Sequence, residues 1–275
     1  MNKFKQLIFV ALLNITFDQL PAQNQIQNVD AGYKIFYKET SIETDDYKIY
    51  IEDAISVDAW TKFKVRVFNK TNDYIIFDPA DVIFKINGKE IPGNDKPLYV
   101  MPNDEATKVI DAKNKGSQVY TYSVEIKQMF KASASVAPLK TEDFNIPITK
   151  NEFQTGNFKC TAKSAAIKTD KSLLKFLCVY QGDAIGILTP IRAVAEMPGK
   201  QEIANTNRNK GTLLEKNKQD DFLVELKEVK GAGDMQKDHF FIKWNDTFKE
   251  SKKEVIPGGK FTLEFDQPKT AERNK

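Results

Sequence analysis

The chain has 275 residues, with 41 lysines and arginines against 38 aspartates and glutamates, a net charge of +3. That balance is too slight for a nucleic-acid binder, which concentrates its cations on one face; here Glu225, Lys227, Glu228 and Lys230 alternate as on a solvated strand. One histidine and two cysteines exclude most nucleophile–base pairs and any finger-like metal site.

From the start of the chain, Lys3 and Lys5 precede an apolar run from Leu7 to Phe17, and Leu20-Pro21-Ala22 then offers a small residue for cleavage. Residues 1–22 therefore read as a secretory signal peptide. The run is shorter than the ~20 residues a membrane-spanning helix needs, and no cysteine near the cut offers a lipid attachment point. The expectation is an exported protein, periplasmic or extracellular, neither a lipoprotein nor a transmembrane one.

Residues 23–45 form an N-terminal extension. Beyond them the pattern has period two, the mark of half-buried strands. Phe63, Val65 and Val67 point one way while Lys62, Lys64 and Arg66 point the other. The same alternation recurs at Tyr120, Tyr122, Val124 and Ile126, at Phe240, Ile242 and Trp244, and at Phe261, Leu263 and Phe265. Asn87-Gly88 supplies the positive φ angles of a tight hairpin turn between Val82–Ile86 and Lys89–Ile91. Pro79, Pro92, Pro102 and Pro138 mark strand ends or edges, because proline donates nothing to a ladder. Ile203 to Lys218, with Asn205, Asn207, Asn209 and Gly211, reads as a long polar loop.

A shift of 111 positions lays the second half on the first. Ile76 falls on Ile187, Pro79 on Pro190 and Gly88 on Gly199; the inward Phe63, Val65 and Val67 fall on Leu174, Phe176 and Cys178. The reading is two tandem all-β sandwiches, residues 46–149 and 150–268, followed by a polar tail at 269–275. The runs Phe63 to Asn69 and Tyr74 to Pro79, then the hairpin from Val82 to Ile91, resemble the immunoglobulin-like modules of exported bacterial proteins. That resemblance implies a seven-to-nine-strand antiparallel sandwich with a binding, spacing or assembly role and no catalytic residues. The order Cys, Trp, Cys of antibody domains is missing within either unit.

Cys160 and Cys178 fall on consecutive strands joined near Thr169 to Lys171. Hairpin counting brings them within one register step of each other, so a disulfide in an oxidising compartment stands beside the alternative of two reduced thiols packed where the first unit has Ile49 and Val67. His239 begins a strand without companion residues and reads as a solvent-exposed strand end. Trp60, on a turn, either offers its ring to a sugar or partner or folds over the end of the core; Trp244 is in phase with core residues. Asp45-Asp46, Asp104-Glu105 and Asp220-Asp221 lack calcium-loop spacing, and neighbours on a strand point to opposite faces. No catalytic, cofactor or metal residues are assigned. The expected function is non-catalytic binding, adhesion or envelope assembly, with a protein or glycan of the cell envelope as partner and no nucleic acid. The alternatives are an exported hydrolase using two carboxylates, for example on glycosides, and a periplasmic chaperone that pairs edge strands.

Overall fold

The computed structural model describes residues 32–112, 118–209 and 211–275. The expected signal peptide, 1–22, lies outside the described residues, as does the first part of the expected extension. Among the described residues twenty-two strands carry the fold, all paired antiparallel. The first ten are β1 (Ile35–Phe36), β2 (Thr40–Glu43), β3 (Tyr47–Ser56), β4 (Thr61–Asn69), β5 (Tyr74–Phe77), β6 (Val82–Ile86), β7 (Lys89–Pro92), β8 (Leu98–Val100), β9 (Glu105–Ala112) and β10 (Thr121–Ala132). Then come β11 (Phe144–Ile146), β12 (Glu152–Thr155), β13 (Phe158–Ile167), β14 (Lys171–Tyr180), β15 (Ile185–Leu188), β16 (Val194–Glu196), β17 (Glu202–Ala204) and β18 (Thr212–Leu214). The chain closes with β19 (Gln219–Lys227), β20 (Phe240–Lys243), β21 (Phe248–Ser251), β22 (Lys253–Glu264) and a helix α1 (Gln267–Arg273).

Alternation does what the sequence predicts. Phe63, Val65 and Val67 are fully buried, while Lys64 and Arg66 on the opposite face reach Glu52 on β3 at 2.9 and 2.6 Å. At the β6–β7 turn Asn87 and Gly88 both take positive φ, 51° and 71°, the conformation a two-residue hairpin demands. Ile86 and Lys89 close it.

The 111-residue shift reappears as strand boundaries and as pairing. Tyr47–Ser56 becomes Phe158–Ile167, Tyr74–Phe77 becomes Ile185–Leu188, and the 3-10 turn Pro79–Asp81 becomes Pro190–Arg192. β4 lies between β3 and β9 as β14 lies between β13 and β19, so Phe63 and Leu174 hold corresponding places. In each unit a second group of strands, β7-β6-β10-β5-β8 in the first and β11-β20-β16-β17 with β18-β15-β21 in the second, closes over the inner face. Phe63, Val65, Phe84 and Val124 share one core; Phe176, Phe222, Trp244 and Phe248 share the other.

The unit boundaries depart from the sequence reading. β22, expected in the second unit, pairs with β10 over its whole length, from Thr121 opposite Glu264 to Ala132 opposite Lys253, and its Ile256, Phe261 and Leu263 enter the first core. β1 and β2, expected as extension, pair with β3. β11, expected in the first unit, pairs with β20. The second unit is thus an insertion between β10 and β22. The supposed polar tail forms most of α1, capped by Asp266; Thr270 accepts from the Phe36 N–H, and Asn274 makes two bonds to the Lys34 backbone. The supposed loop from Ile203 to Lys218 contains β17 in part and β18, with Ile203, Leu213 and Leu214 buried. These three apolar residues are too widely spaced to show a period.

A third apolar cluster joins the units: Tyr74, Ile76 and Ala132 from one, Ile185, Ile187 and Leu213 from the other. Polar bonds reinforce it, with the Ser133 N–H donating to Ser251 Oγ at 2.8 Å and the Lys249 ammonium to the Ala134 carbonyl at 3.1 Å. No helix among the described residues is long and apolar enough to cross a membrane.

Candidate functional site

The candidate contact residues are mostly spoken for. Trp60 sits in a turn closed by the Val57 N–H on the Trp60 carbonyl, 2.9 Å. Its ring is half-buried and covered by the Lys62 ammonium 4.6 Å from the centroid, a cation–π contact in place of an open stacking surface. His239 is exposed and lies immediately before β20. Trp244 is buried and stacks on Phe153, with ring centroids 4.9 Å apart.

Each adjacent carboxylate pair places one member in an ion pair. Asp46 meets Lys131 at 3.7 Å, Glu105 meets Arg66 at 3.3 Å, and Asp221 meets Lys175 at 2.8 Å. Asp220 faces the other way, and burial raises its carboxyl, with a hydrogen bond from the Asp221 N–H in partial opposition. Among the described residues no three His, Cys, Asp or Glu side chains converge on a metal position.

Cys160 and Cys178 are disulfide-bonded, fully buried and surrounded by the aromatic core of the second unit. Two hydrophobes occupy the matching places in the first unit, where Ile49 stands opposite Val67. The bond cross-links β13 to β14 and is a structural element.

A surface concavity of about 540 Å³ lies beside β9, lined by Asn94, Asp95, Lys96, Val109 and Asp111. The sequence reading missed it, because its residues carry no motif. Two carboxylates line it: Asp95 pairs with Lys108 at 3.3 Å, while Asp111 has a shielded Oδ1 without a hydrogen-bond partner among the described residues. The two units differ at the residue that precedes this hollow. In the second unit the Asn205 N–H bonds the Ala193 carbonyl, and its side chain bonds the Pro190 and Leu223 carbonyls and the Glu225 N–H. In the first unit the matching backbone bond, to the Val82 carbonyl, comes from Gly93. The Pro79 carbonyl oxygen and the Ile110 side chain close on Gly93, 2.7 and 3.0 Å from where a Cβ would stand, so the first unit has no room for a side chain at that place.

No family model and no curated protein matches the chain. Among solved structures it is similar to a transglutaminase of red sea bream, at 6% identity and a TM-score of 0.19, over 84% of this chain and 31% of that one. The chain spans about a third of that protein's length, and a likeness this low transfers neither fold nor activity.

Proposed function

We propose that the chain is an exported, non-catalytic binding or assembly protein of the cell envelope, built from two immunoglobulin-like sandwiches, whose partner is a protein or a glycan. The observation that carries this reading is the junction. The cluster of Tyr74, Ile76, Ile185 and Ile187, the insertion of one unit into the other through β10 and β22, and the bonds across it fix two sandwiches together. Such a scaffold suits the presentation of edges and loops to a partner. The buried disulfide fits an oxidising compartment.

The test begins with N-terminal sequencing of protein from its native source, expected to start after Ala22. Crosslinking in the intact envelope should then yield one defined partner, which the purified chain binds. A chain that begins at Met1 removes the export reading. A second reading, hydrolysis by two carboxylates, draws on Asp95 and Asp111 lining one concavity. Turnover of a glycan by the purified chain, abolished by Asp111→Asn, would replace the binding reading with that one.

A further inference from the structure

The two units differ at one strand edge. In the first, β1 covers the end of β3: Ile35 stands opposite Ser56, Phe36 opposite Ile55, and the Tyr37 N–H donates to the Ala54 carbonyl at 3.1 Å. Ile35 and Tyr37 turn into the core, and beneath them Ala54 and Ser56 are 2% and 0% exposed. The Ser56 and Thr61 hydroxyls bond each other at 2.6 Å.

In the second unit the matching residues are Ala165, Ile167 and Ser172. β12 pairs with β13 only from Phe158 to Thr161, and the Ala162 N–H goes to the Asn151 carbonyl. Among the described residues no strand continues along 163–167, because the segment before β12 joins β20 instead, as β11. Ala165 stands opposite Leu174 and Ile167 opposite Ser172, both core positions, so both face inward. Ala165 is nevertheless exposed and Ile167 partly so.

The main chain points the same way. The Lys168 N–H bonds the Lys171 carbonyl, so by antiparallel alternation Ile167 and Ala165 aim their N–H and C=O groups away from β14, towards the open edge. The Ser172 hydroxyl is buried and has no partner among the described residues, whereas Thr61 has Ser56. The bulge at Lys163 guards one end of this edge, while Ser164, Ala165 and Ala166 beyond it bring neither proline nor charge.

We infer that this edge of β13 accepts an extended segment of a partner polypeptide, added antiparallel in the register that β1 holds on β3. The occupant's chemistry follows from the repeat. Main-chain hydrogen bonds to Ala165 and Ile167 hold it, and a large apolar side chain covers these two residues. The inference deepens the binding reading and rests on it.

The probe is a synthetic peptide copying Gly32–Glu39, titrated into the full chain by fluorescence anisotropy, with hydrogen exchange locating it. Saturable binding is expected, with exchange at Ala165 and Ile167 slowed about tenfold or more. Ala165→Pro removes an edge donor and leaves the β14 ladder intact, and should weaken binding at least about tenfold. The same peptide methylated on the nitrogens of its Ile35 and Tyr37 equivalents should fail similarly on the unaltered protein, which decides the matter even if the proline variant misfolds. Unchanged exchange at Ala165 and Ile167, or an affinity indifferent to both changes, overturns the inference. So does protection of this edge by self-association, since the occupant is then a second copy. None of these results touches the crosslinked partner or a glycan turnover assay, so the broader binding reading stands or falls separately.

Discussion

Cys160 stands directly opposite Cys178, with Cα atoms 4.1 Å apart, because one residue is bulged out of β13. Counted back from the turn, Ile167 faces Ser172 and Ser164 faces Lys175; an unbroken ladder would bring Cys160 opposite Val179. The irregularity between Ala162 and Ser164 takes up Lys163 and moves the register by one. The first unit has the same device between Glu52 and Ile55.

Replacing both cysteines by valine should therefore leave the fold in place, since Ile49 and Val67 manage the same positions without sulfur. Closing a loop of 18 residues contributes about 3 kcal/mol at most. Urea unfolding should show a loss within that limit. Two alkylatable thiols in the folded native protein would contradict the bond itself.

Leu263→Ala should destabilise the first unit by about 2–5 kcal/mol, the usual cost of emptying a fully buried leucine site, although residue 263 lies beyond the second unit in the chain. Hydrogen exchange at Val124, opposite Phe261 on the neighbouring strand, reads the effect. Val255→Ala on the same strand, where the side chain is 64% exposed, should change stability by less than about 0.5 kcal/mol. Equal effects would mean that β22 is not part of the first core.

Asn205 is 4% exposed, and its side chain accepts from the Asn207 and Glu225 N–H groups while donating to two carbonyls. Asn205→Ala leaves these groups without partners and should cost about 2–4 kcal/mol, several buried hydrogen bonds being lost together. Gly93→Asn is not a simple transplant, since a Cβ there would lie 2.7 Å from the Pro79 carbonyl oxygen. Thermal unfolding of both variants tests the comparison.

Asp220 gives a pH dependence with a definite sign. Burial raises its carboxyl in the folded chain, so the folded state holds the proton more tightly than the unfolded state. The stability this contributes is present below the ordinary carboxylate range and is lost as pH rises through the raised value. Asp220→Asn should be more stable than the parent at neutral pH, by a few tenths of a kcal/mol for a half-buried group, and the difference should vanish in acid. A difference that grew on acidification would reverse the assignment.

The β class, the strand faces, the Asn87-Gly88 hairpin and the 111-residue repeat were all legible in the sequence. The first three depend on residues within about ten positions of one another: alternation sorts side chains to two faces, and a positive φ needs asparagine or glycine at a fixed place; the repeat shows because the same local patterns recur at one spacing. The buried disulfide was half legible, because hairpin counting finds the two strands while the bulge at Lys163 obeys no local pattern. α1 was not, since its seven residues bury only Thr270 and hold to β1 through single polar bonds. The concavity was not either, because Asn94 to Lys96 meet Val109 and Asp111 only in the folded chain.

Which edge each strand pairs with was decided only by the tertiary structure. β22 has the same alternation wherever it goes, and nothing in Phe261, Leu263 or Phe265 says whether they complete the nearer core or return to β10. The choice depends on which edge is left uncovered once the other strands have paired, a property of the assembled sheets. The same uncovered-edge logic closes β3 with β1 and, among the described residues, leaves the end of β13 unpaired: the sequence determined two similar halves, and long-range pairing made their edges different.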